Sequence, residues 1–300
     1  MEIESNKSPL FNHTSVMTSE IINAVDNCPQ KLSTNFLGID ATLGGGGHSY
    51  ELLKRFPRLK IIGIDQDPYA REAALTKLKE LKNRIEIKAM NFADFEPKEK
   101  VSFVIADLGV NSFQIDNPER GFSFQKDGPL DMRMNPSIEL SAEELIKNLN
   151  EKDLANLIYK YGEERLSRKI ARKIKRDLHE KGAYKSTKEL AYAIGGCFPP
   201  SQRYKKIHPA TRTFQALRIA VNKEIESLEL LLLKSPNWLL PNGIISIISF
   251  HSIEDRKVKE NFKNNEKLFN LTKKPIIPKD AEIQSNKRSR SAKMRIAKLR

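Results

Sequence analysis

The sequence has few of the residues that build cross-links and metal centres. Its 300 residues include two cysteines, Cys28 and Cys197, which lie far apart and form no Cys-x-x-Cys pair. This excludes a disulfide framework and a cysteine-based zinc site, and we expect no bound metal. No hydrophobic run approaches transmembrane length, and we expect no signal peptide. With 7% aromatic and 30% charged residues, the composition favours a soluble, cytoplasmic protein.

Acidic residues are scarce relative to basic ones. The chain has 38 Asp and Glu against 52 Lys and Arg, which gives a formal net charge of +14. An imbalance of this sign predicts a polyanionic partner, either nucleic acid or, less well, an anionic membrane surface. The basic residues cluster at 165–176, 203–218 and 287–300. This clustering favours a nucleic-acid-binding surface over a uniformly basic composition.

A glycine loop lies between a predicted strand and a predicted helix. Residues 36–40 are an apolar run that ends in Asp40, residues 44–47 are all glycine, and a helical pattern follows from His48. A backbone without side chains can approach a nucleotide cofactor closely and can adopt positive φ. A second predicted strand ends at Asp65, where a carboxylate can hold ribose hydroxyls.

The spacing of the loop distinguishes between two classes of cofactor. A dinucleotide-binding G-x-G-x-x-G loop counted from Gly44 would need a third glycine where Ser49 stands. The spacing Asp40-x-x-x-Gly44-x-Gly46 instead fits the first motif of S-adenosylmethionine (SAM) methyltransferases. A glycine turn without a ligand is the alternative on this segment alone.

Successive βα units predict a parallel, doubly wound α/β sheet. Strands are expected at 36–40, 60–65, 84–90, 101–108 and 243–250, with a terminal antiparallel pair at 269–272 and 294–299. Ligands of such sheets bind beyond the carboxyl ends of the strands, which places Asp107 at that edge. Phe92 follows the third strand, where its ring could stack on an adenine or join the core.

The βα alternation stops at Gly109, and residues 140–195 carry helical patterns. We therefore expect an N-terminal part of the sheet domain at 13–110, an inserted, mostly helical substrate-recognition domain at 111–209, and a C-terminal part with a basic tail at 210–300. A long helix is predicted to begin at Thr211 and to end at Pro236.

Four stretches together resemble the ribosomal RNA small subunit methyltransferase H family. They are the glycine loop at 44–49 and the segments 107–134, 208–219 and 249–256. The resemblance implies a Rossmann-like class I SAM-dependent methyltransferase sheet with an inserted helical domain. It also implies methylation of N4 of a cytosine in 16S rRNA near the decoding centre, within the small ribosomal subunit. We expect a monomer or homodimer.

The resemblance further implies which residues contact SAM. They are Gly46, Gly47, His48, Asp65, Phe92, Asp107 and Gln114. The sequence departs from the family pattern at Gly45, where relatives carry a larger residue, and at Asn111 and Phe113, which replace a more usual Ser and Pro.

Attack by an amino nitrogen requires in-line positioning and a group that accepts the amino hydrogens. Asp107, His251 and Asp131 are the candidates for the target pocket, although Asp131 is alternatively a loop-ordering partner of Arg133. Methylation of cytosine carbon 5 would need a cysteine nucleophile, and neither cysteine is placed for it.

Basic residues of the insert and tail are predicted to contact RNA phosphates. They are Arg168, Arg172, Lys173, Lys205, Lys206, Arg212, Arg218, Arg288 and Arg290. Three alternatives stay open: a nicotinamide-dependent oxidoreductase, a non-catalytic RNA-binding protein that keeps a methyltransferase core, and a methyltransferase that acts on adenine or DNA.

Overall fold

The computed structural model describes residues 15–203 and 207–300. Lys205, Lys206 and residues 13–14 of the first predicted domain lie outside the described residues. The strands are β1 (Phe36–Asp40), β2 (Leu59–Ile64), β3 (Ile85–Lys88), β4 (Val101–Asp107), β5 (Leu239–Ser249), β6 (Leu268–Asn270) and β7 (Lys293–Leu299). The helices are α1 (Thr18–Asp26), α2 (Gly47–Arg55), α3 (Pro68–Lys77), α4 (Ser112–Asp116), α5 (Ala142–Asn148), α6 (Glu151–Gly162), α7 (Ser167–Lys181), α8 (Thr187–Gly196), α9 (Pro200–Arg203), α10 (Thr211–Asn222), α11 (Glu224–Trp238), α12 (Ser252–Asn264) and α13 (Asp280–Ser285).

The seven strands form one sheet in the order β3-β2-β1-β4-β5-β7-β6. The first five strands pair in parallel, and β7 runs antiparallel to both β5 and β6. This order confirms the predicted doubly wound α/β sheet and its terminal antiparallel pair. Because β1, β2 and β4 are parallel neighbours, their carboxyl ends meet at one edge.

The sheet is covered by apolar side chains on both faces. Phe36 and Phe103 belong to a buried cluster with the α2 residues Leu52 and Leu53. The adjacent strand residues Leu37 and Val104 belong to a second cluster with Leu228, Leu231 and Leu232 of α11. Successive residues of a strand point to opposite faces, so β1 and β4 supply both clusters. Burial on both faces explains why these strands are continuous apolar runs rather than alternating ones.

The described chain divides into two compact units. The first contains the sheet and extends to Phe113, then resumes at Leu228, and the second comprises Gln114–Ser227. The second unit is helical and has its own buried cluster, which includes Ile146, Ile158 and Ile174. In this division α10 belongs to the helical unit, whereas the sequence analysis placed it after the insert. A Cβ at Gly162 of α6 would lie 2.6 Å from the carbonyl oxygen of Arg212, so α10 packs closely on α6.

Two local predictions are wrong. The expected long helix is interrupted at Lys223, whose left-handed φ of 50° separates α10 from α11. Pro236 lies inside α11 instead of ending it. Proline removes one hydrogen bond, but it stands two residues before the helix end, where buried Trp238 donates from Nε1 to Glu96 Oε2 at 2.7 Å.

Strand β5 begins at Leu239, four residues before the predicted strand at 243–250. Residues 241–243 lie within β5, where Asn242 has a φ of 62° and the pairing with β4 shifts register. Over the described ranges, no helix combines the length and the apolar character that crossing a membrane requires.

Candidate active site

Three carboxylates meet at the carboxyl edge of the sheet. Asp40 ends β1, Asp107 ends β4, and Asp65 directly follows β2. Their strands are neighbours, so the side chains converge although the residues are 25 to 67 positions apart in sequence. We call this group the acid edge.

Asp65 connects the glycine loop to β2. Its Oδ2 accepts the Gly44 N–H at 2.8 Å, and its Oδ1 accepts the Asp67 N–H at 2.8 Å. Burial raises the pKa of Asp65 to about 6, against the lowering effect of these two bonds. Each oxygen keeps a lone pair for a further donor such as a ribose hydroxyl.

Asp40 fixes the other end of the loop. The Ser49 hydroxyl donates to Asp40 Oδ2 at 2.7 Å, and the Thr42 N–H donates to Oδ1 at 3.3 Å. Ser49 is the residue that stands in place of the third glycine of a dinucleotide motif. Its bond to Asp40 fastens the first turn of α2 to the end of β1. Burial raises the pKa of Asp40 to about 6.

The glycine loop needs glycine for two separate reasons. Gly44 and Gly46 have φ values of 53° and 77°, a region that costs an L side chain about 1–2 kcal/mol. A Cβ at Gly46 would also lie 2.9 Å from Leu78 Cδ1, and one at Gly47 would overlap Ser15 Oγ. At Gly44 a Cβ would have ordinary clearance, 3.9 Å from the Thr42 carbonyl oxygen. The loop is therefore tightly packed at 46–47.

His48 and Asp107 present two acceptors to each other. His48 is 6% exposed, and its Nε2 lies 2.8 Å from the Val16 carbonyl oxygen. A carbonyl only accepts, so Nε2 carries the proton and Nδ1 keeps its lone pair. Nδ1 faces Asp107 Oδ2 at 3.9 Å. Burial lowers the pKa of His48, which keeps the ring neutral.

Asp107 lies among other acidic groups at the end of β4. Burial and, secondarily, the negative charges of Asp40, Glu254 and Glu282 raise its pKa well above the ordinary range. Its Oδ1 is buried and has no hydrogen-bond partner within the described residues. A buried acceptor of this kind is costly unless a ligand supplies a donor. The acid edge therefore fits a ligand that brings N–H or O–H donors and positive charge.

Two other predicted catalytic residues make local structural contacts. His251 caps α12, with its Nδ1 accepting the Glu254 N–H at 3.4 Å. In the helical unit, Asp131 binds Arg133 through contacts of 2.9 Å and 2.7 Å. These contacts match the loop-ordering alternative for Asp131, and a catalytic role for either residue stays a prediction.

The remaining cofactor candidates occupy different positions in the fold. Phe92 opens a 3-10 turn after β3 and packs, half-buried, against one of the clusters that cover the sheet. Gln114 lies in α4 at the start of the helical unit and is 3% exposed. Their contacts with SAM stay predictions.

The seven predicted RNA-binding residues that the structure describes fall into two groups. Five are exposed, namely Arg168, Arg172, Arg212, Arg288 and Arg290. Two are half-buried and engaged by acids: Lys173 binds buried Asp177 at 2.6 Å, and Arg218 makes bonds of 2.8 Å and 2.9 Å to Glu224. In the exposed group, Arg172 also lies 3.4 Å from Glu151. The exposed group is better placed to reach phosphates than the paired one.

The two cysteines are unsuited to nucleophilic attack. Both are buried. Burial raises the pKa of Cys28 to about 12 and also raises that of Cys197. A protonated thiol is a weak nucleophile, which agrees with the argument against carbon-5 methylation.

Sequence reasoning missed the residues that hold His48 in place. The Val16 carbonyl belongs to a short segment, residues 15–17, that contacts the loop, and Glu282 Oε1 accepts the Met17 N–H at 2.6 Å. Glu282 is separated from Met17 by 265 residues. No spacing rule connects positions so far apart.

Comparison with known proteins identifies the family. A model of the MraW methylase family matches residues 10–300. Two relatives, from Prochlorococcus marinus subsp. pastoris and from another Prochlorococcus marinus strain, are 70% and 69% identical over 300 residues, with 100% of both chains covered in each case. Both are named ribosomal RNA small subunit methyltransferase H.

Among solved structures, an rRNA methylase from Streptococcus thermophilus aligns over 94% of this chain and 93% of its own. Its identity of 9% and TM-score of 0.43 are too low to bear on function. The match to the family model and the 70% identity decide the assignment. The chain belongs to the MraW methylase family.

Proposed function

We propose that this protein transfers the methyl group of SAM to the exocyclic N4 of a cytidine in the 16S rRNA of the small ribosomal subunit. The observation that carries the proposal is the buried, unpartnered Oδ1 of Asp107 at the carboxyl end of β4, beside the glycine loop and Asp65. Relatives that are 70% identical carry the name ribosomal RNA small subunit methyltransferase H, which supports the substrate class.

The acid edge suits the donor groups of SAM. Asp65 has lone pairs for the ribose hydroxyls, and the backbone at Gly44 leaves room for close approach. His48 Nδ1 and Asp107 Oδ2 form a pair of acceptors 3.9 Å apart for an ammonium or amino group. When bound, SAM supplies an electrophilic methyl group. The protein has to position this methyl group and does not have to activate it.

Asp107 is the proposed catalytic group for the acceptor nitrogen. Cytosine N4 is a poor nucleophile because its lone pair is delocalised into the ring. Asp107 Oδ1 accepts an N4–H, which localises that pair, and takes up the proton released as the N–C bond forms. A raised pKa makes its ionised carboxylate a stronger base than an exposed aspartate.

The exposed arginines provide the RNA-binding part of the proposal. Arg168 and Arg172 lie on α7, Arg212 lies on α10, and Arg288 and Arg290 follow α13. All five are exposed, and contacts between arginine and phosphate are independent of sequence. The target cytosine must also leave its stack before its N4 can reach a methyl group.

Methyl transfer with product analysis tests this proposal. Purified protein is incubated with tritium-labelled SAM and small subunits that lack the modification, naked 16S rRNA, or duplex DNA. Label in N4-methylcytidine is expected after nucleoside digestion. Label in an adenine nucleoside or in DNA would show that the methyl acceptor is not cytidine N4. RNA binding that SAM leaves unchanged, with no label, would support a non-catalytic protein.

A further inference from the structure

Residues 15–17, the first three that the structure describes, pack directly against the glycine loop. We call residues 15–17 the strap. Ser15 Oγ occupies the space that a Cβ at Gly47 would need, and the Val16 carbonyl holds His48 Nε2 at 2.8 Å. The Thr18 hydroxyl donates to the Ser15 carbonyl at 3.1 Å and ties the strap to α1. The strap thus fixes the rotamer of the ring that faces Asp107.

The strap contains a strained residue. Met17 is fully buried and adopts φ 54° and ψ 36°, the left-handed region, although it is not glycine. No side chain caps α1 at this position. A non-glycine residue keeps such a conformation only where its surroundings impose it. Its carbonyl accepts the Ile21 N–H at 3.0 Å, so its geometry also sets the start of α1.

The group that holds Met17 comes from the other end of the chain. Glu282, in α13, accepts the Met17 N–H on Oε1 at 2.6 Å. We propose that Glu282 is a positioning residue for methyl transfer: its carboxylate holds the strap at Met17, and the strap holds His48 against the glycine loop beside Asp107. The inference rests on the function proposed above and adds a residue to its site.

The route from Glu282 to the site is continuous. It runs from the Glu282 carboxylate to the Met17 N–H, from the adjoining Val16 carbonyl to His48 Nε2, and from His48 Nδ1 to Asp107. Each step joins atoms within 2.6 to 3.9 Å. Loss of the first step frees Met17 to leave its strained conformation. His48 then loses its fixed orientation, and the loop loses its contact with Ser15.

Four variants separate the hydrogen bond from the charge of Glu282. Glu282→Gln keeps an acceptor oxygen at the same reach without the charge. Glu282→Asp keeps the charge but is one methylene too short to reach Met17. Glu282→Ala removes both, and Asp280→Ala removes an exposed acid from the same helix as the matched control. If Glu282→Ala fails to fold, the Gln and Asp variants decide the question.

The measurements are the Kd of S-adenosylhomocysteine (SAH) by calorimetry and the KM and kcat of methyl transfer. Glu282→Ala and Glu282→Asp are expected to weaken SAH binding about tenfold, the effect of losing part of a charge-assisted hydrogen bond. Glu282→Gln should remain within about threefold of wild type, and Asp280→Ala should match wild type.

Two results would overturn the inference. Folded Glu282→Ala and Glu282→Asp proteins with the wild-type Kd and KM would show that the strap does not position the site. An impaired Gln variant beside an Asp variant that binds SAH like wild type would assign the effect to the charge of Glu282 instead of the hydrogen bond. Failure of wild-type protein to bind SAH at all would instead count against the proposed function.

Discussion

The acid edge lowers the stability of the ligand-free protein. Burial raises the pKa of all three, and the charge of Asp40 adds to the rise at Asp65 and Asp107. Ionised carboxylates crowded in a buried place destabilise the fold until donors or positive charge arrive. The acid edge therefore destabilises the fold least when a ligand is bound.

The first prediction concerns the dependence of stability on pH. The folded pKa of Asp40 and Asp65 is about 6, above the ordinary value of 3.8. Their contribution to stability is full below pH 4 and is lost as the pH rises through 6. Ligand donors favour the ionised carboxylate, so the rise in Tm caused by SAH should grow from pH 5 to pH 7. Calorimetric scans with and without SAH measure it, and a rise that is constant or shrinks would contradict the prediction.

The second prediction concerns Asp65 itself. Asp65→Asn keeps one acceptor oxygen, so it can satisfy the Gly44 N–H or the Asp67 N–H but not both, and it loses the negative charge that strengthens bonds from ribose hydroxyls. We expect SAH to bind about tenfold or more weakly. Isothermal calorimetry measures the affinity. Glu51→Gln, on the exposed side of α2, is the control. Equal affinities for both variants would show that Asp65 does not contact the ligand.

At the residue scale, the sequence predicts what parallel strands bring together. Asp65 and Asp107 were predictable because strand ends meet at one edge. Glu282 was not, because its contact with Met17 spans 265 residues and follows no periodicity. The capping bond of His251 was also missed, since a histidine is an uncommon N-cap.

At the scale of elements, the glycine loop and helix α2 depend on each other for their geometry. Positive φ at Gly46 sets the direction in which α2 leaves the loop, and Leu78 limits the space there. The four glycines therefore predict the loop from sequence. The interruption at Lys223 was not, because a left-handed lysine has no sequence signature.

The third prediction compares two glycines. Gly46→Ala should lower the free energy of unfolding by about 1–2 kcal/mol, because it meets both positive φ and Leu78. Gly195→Ala lies in α8, where a Cβ meets nothing within 4 Å, and should leave stability unchanged or raise it by about 0.5 kcal/mol. Urea unfolding measures the free energy of unfolding of both variants and of wild type. An equally stable Gly46→Ala protein would argue against the packed loop.

At the scale of the whole molecule, charge and fold carry different information. The net charge of +14 predicts a polyanionic partner but not which cations remain free to bind it. Lys173 and Arg218 are held by acids that lie four and six residues away, so neighbouring acids weaken a prediction based on basic residues alone. The apolar stripe of α10 likewise does not specify which core the helix joins, and in the structure α10 belongs to the helical unit.

The fourth prediction concerns RNA affinity. Replacing Arg168 and Arg172 by Gln should weaken binding to 16S rRNA and reduce the slope of log affinity against log salt by about one per lost phosphate contact. Lys152→Gln, an exposed cation of α6 outside the predicted set, should leave the slope unchanged. Filter binding over a range of salt measures it. Equal slopes for all variants would place the RNA elsewhere.

The most direct test of the central claim is mass spectrometry of the methylated nucleoside. Small subunits that lack the modification are incubated with SAM carrying a trideuterated methyl group and with either wild-type or Asp107→Asn protein. We expect a trideuteromethyl group on N4 of cytidine with wild type, formed at least about a hundredfold more slowly with Asp107→Asn although both proteins bind SAH. Transfer to another atom, or equal rates for the two proteins, would contradict it.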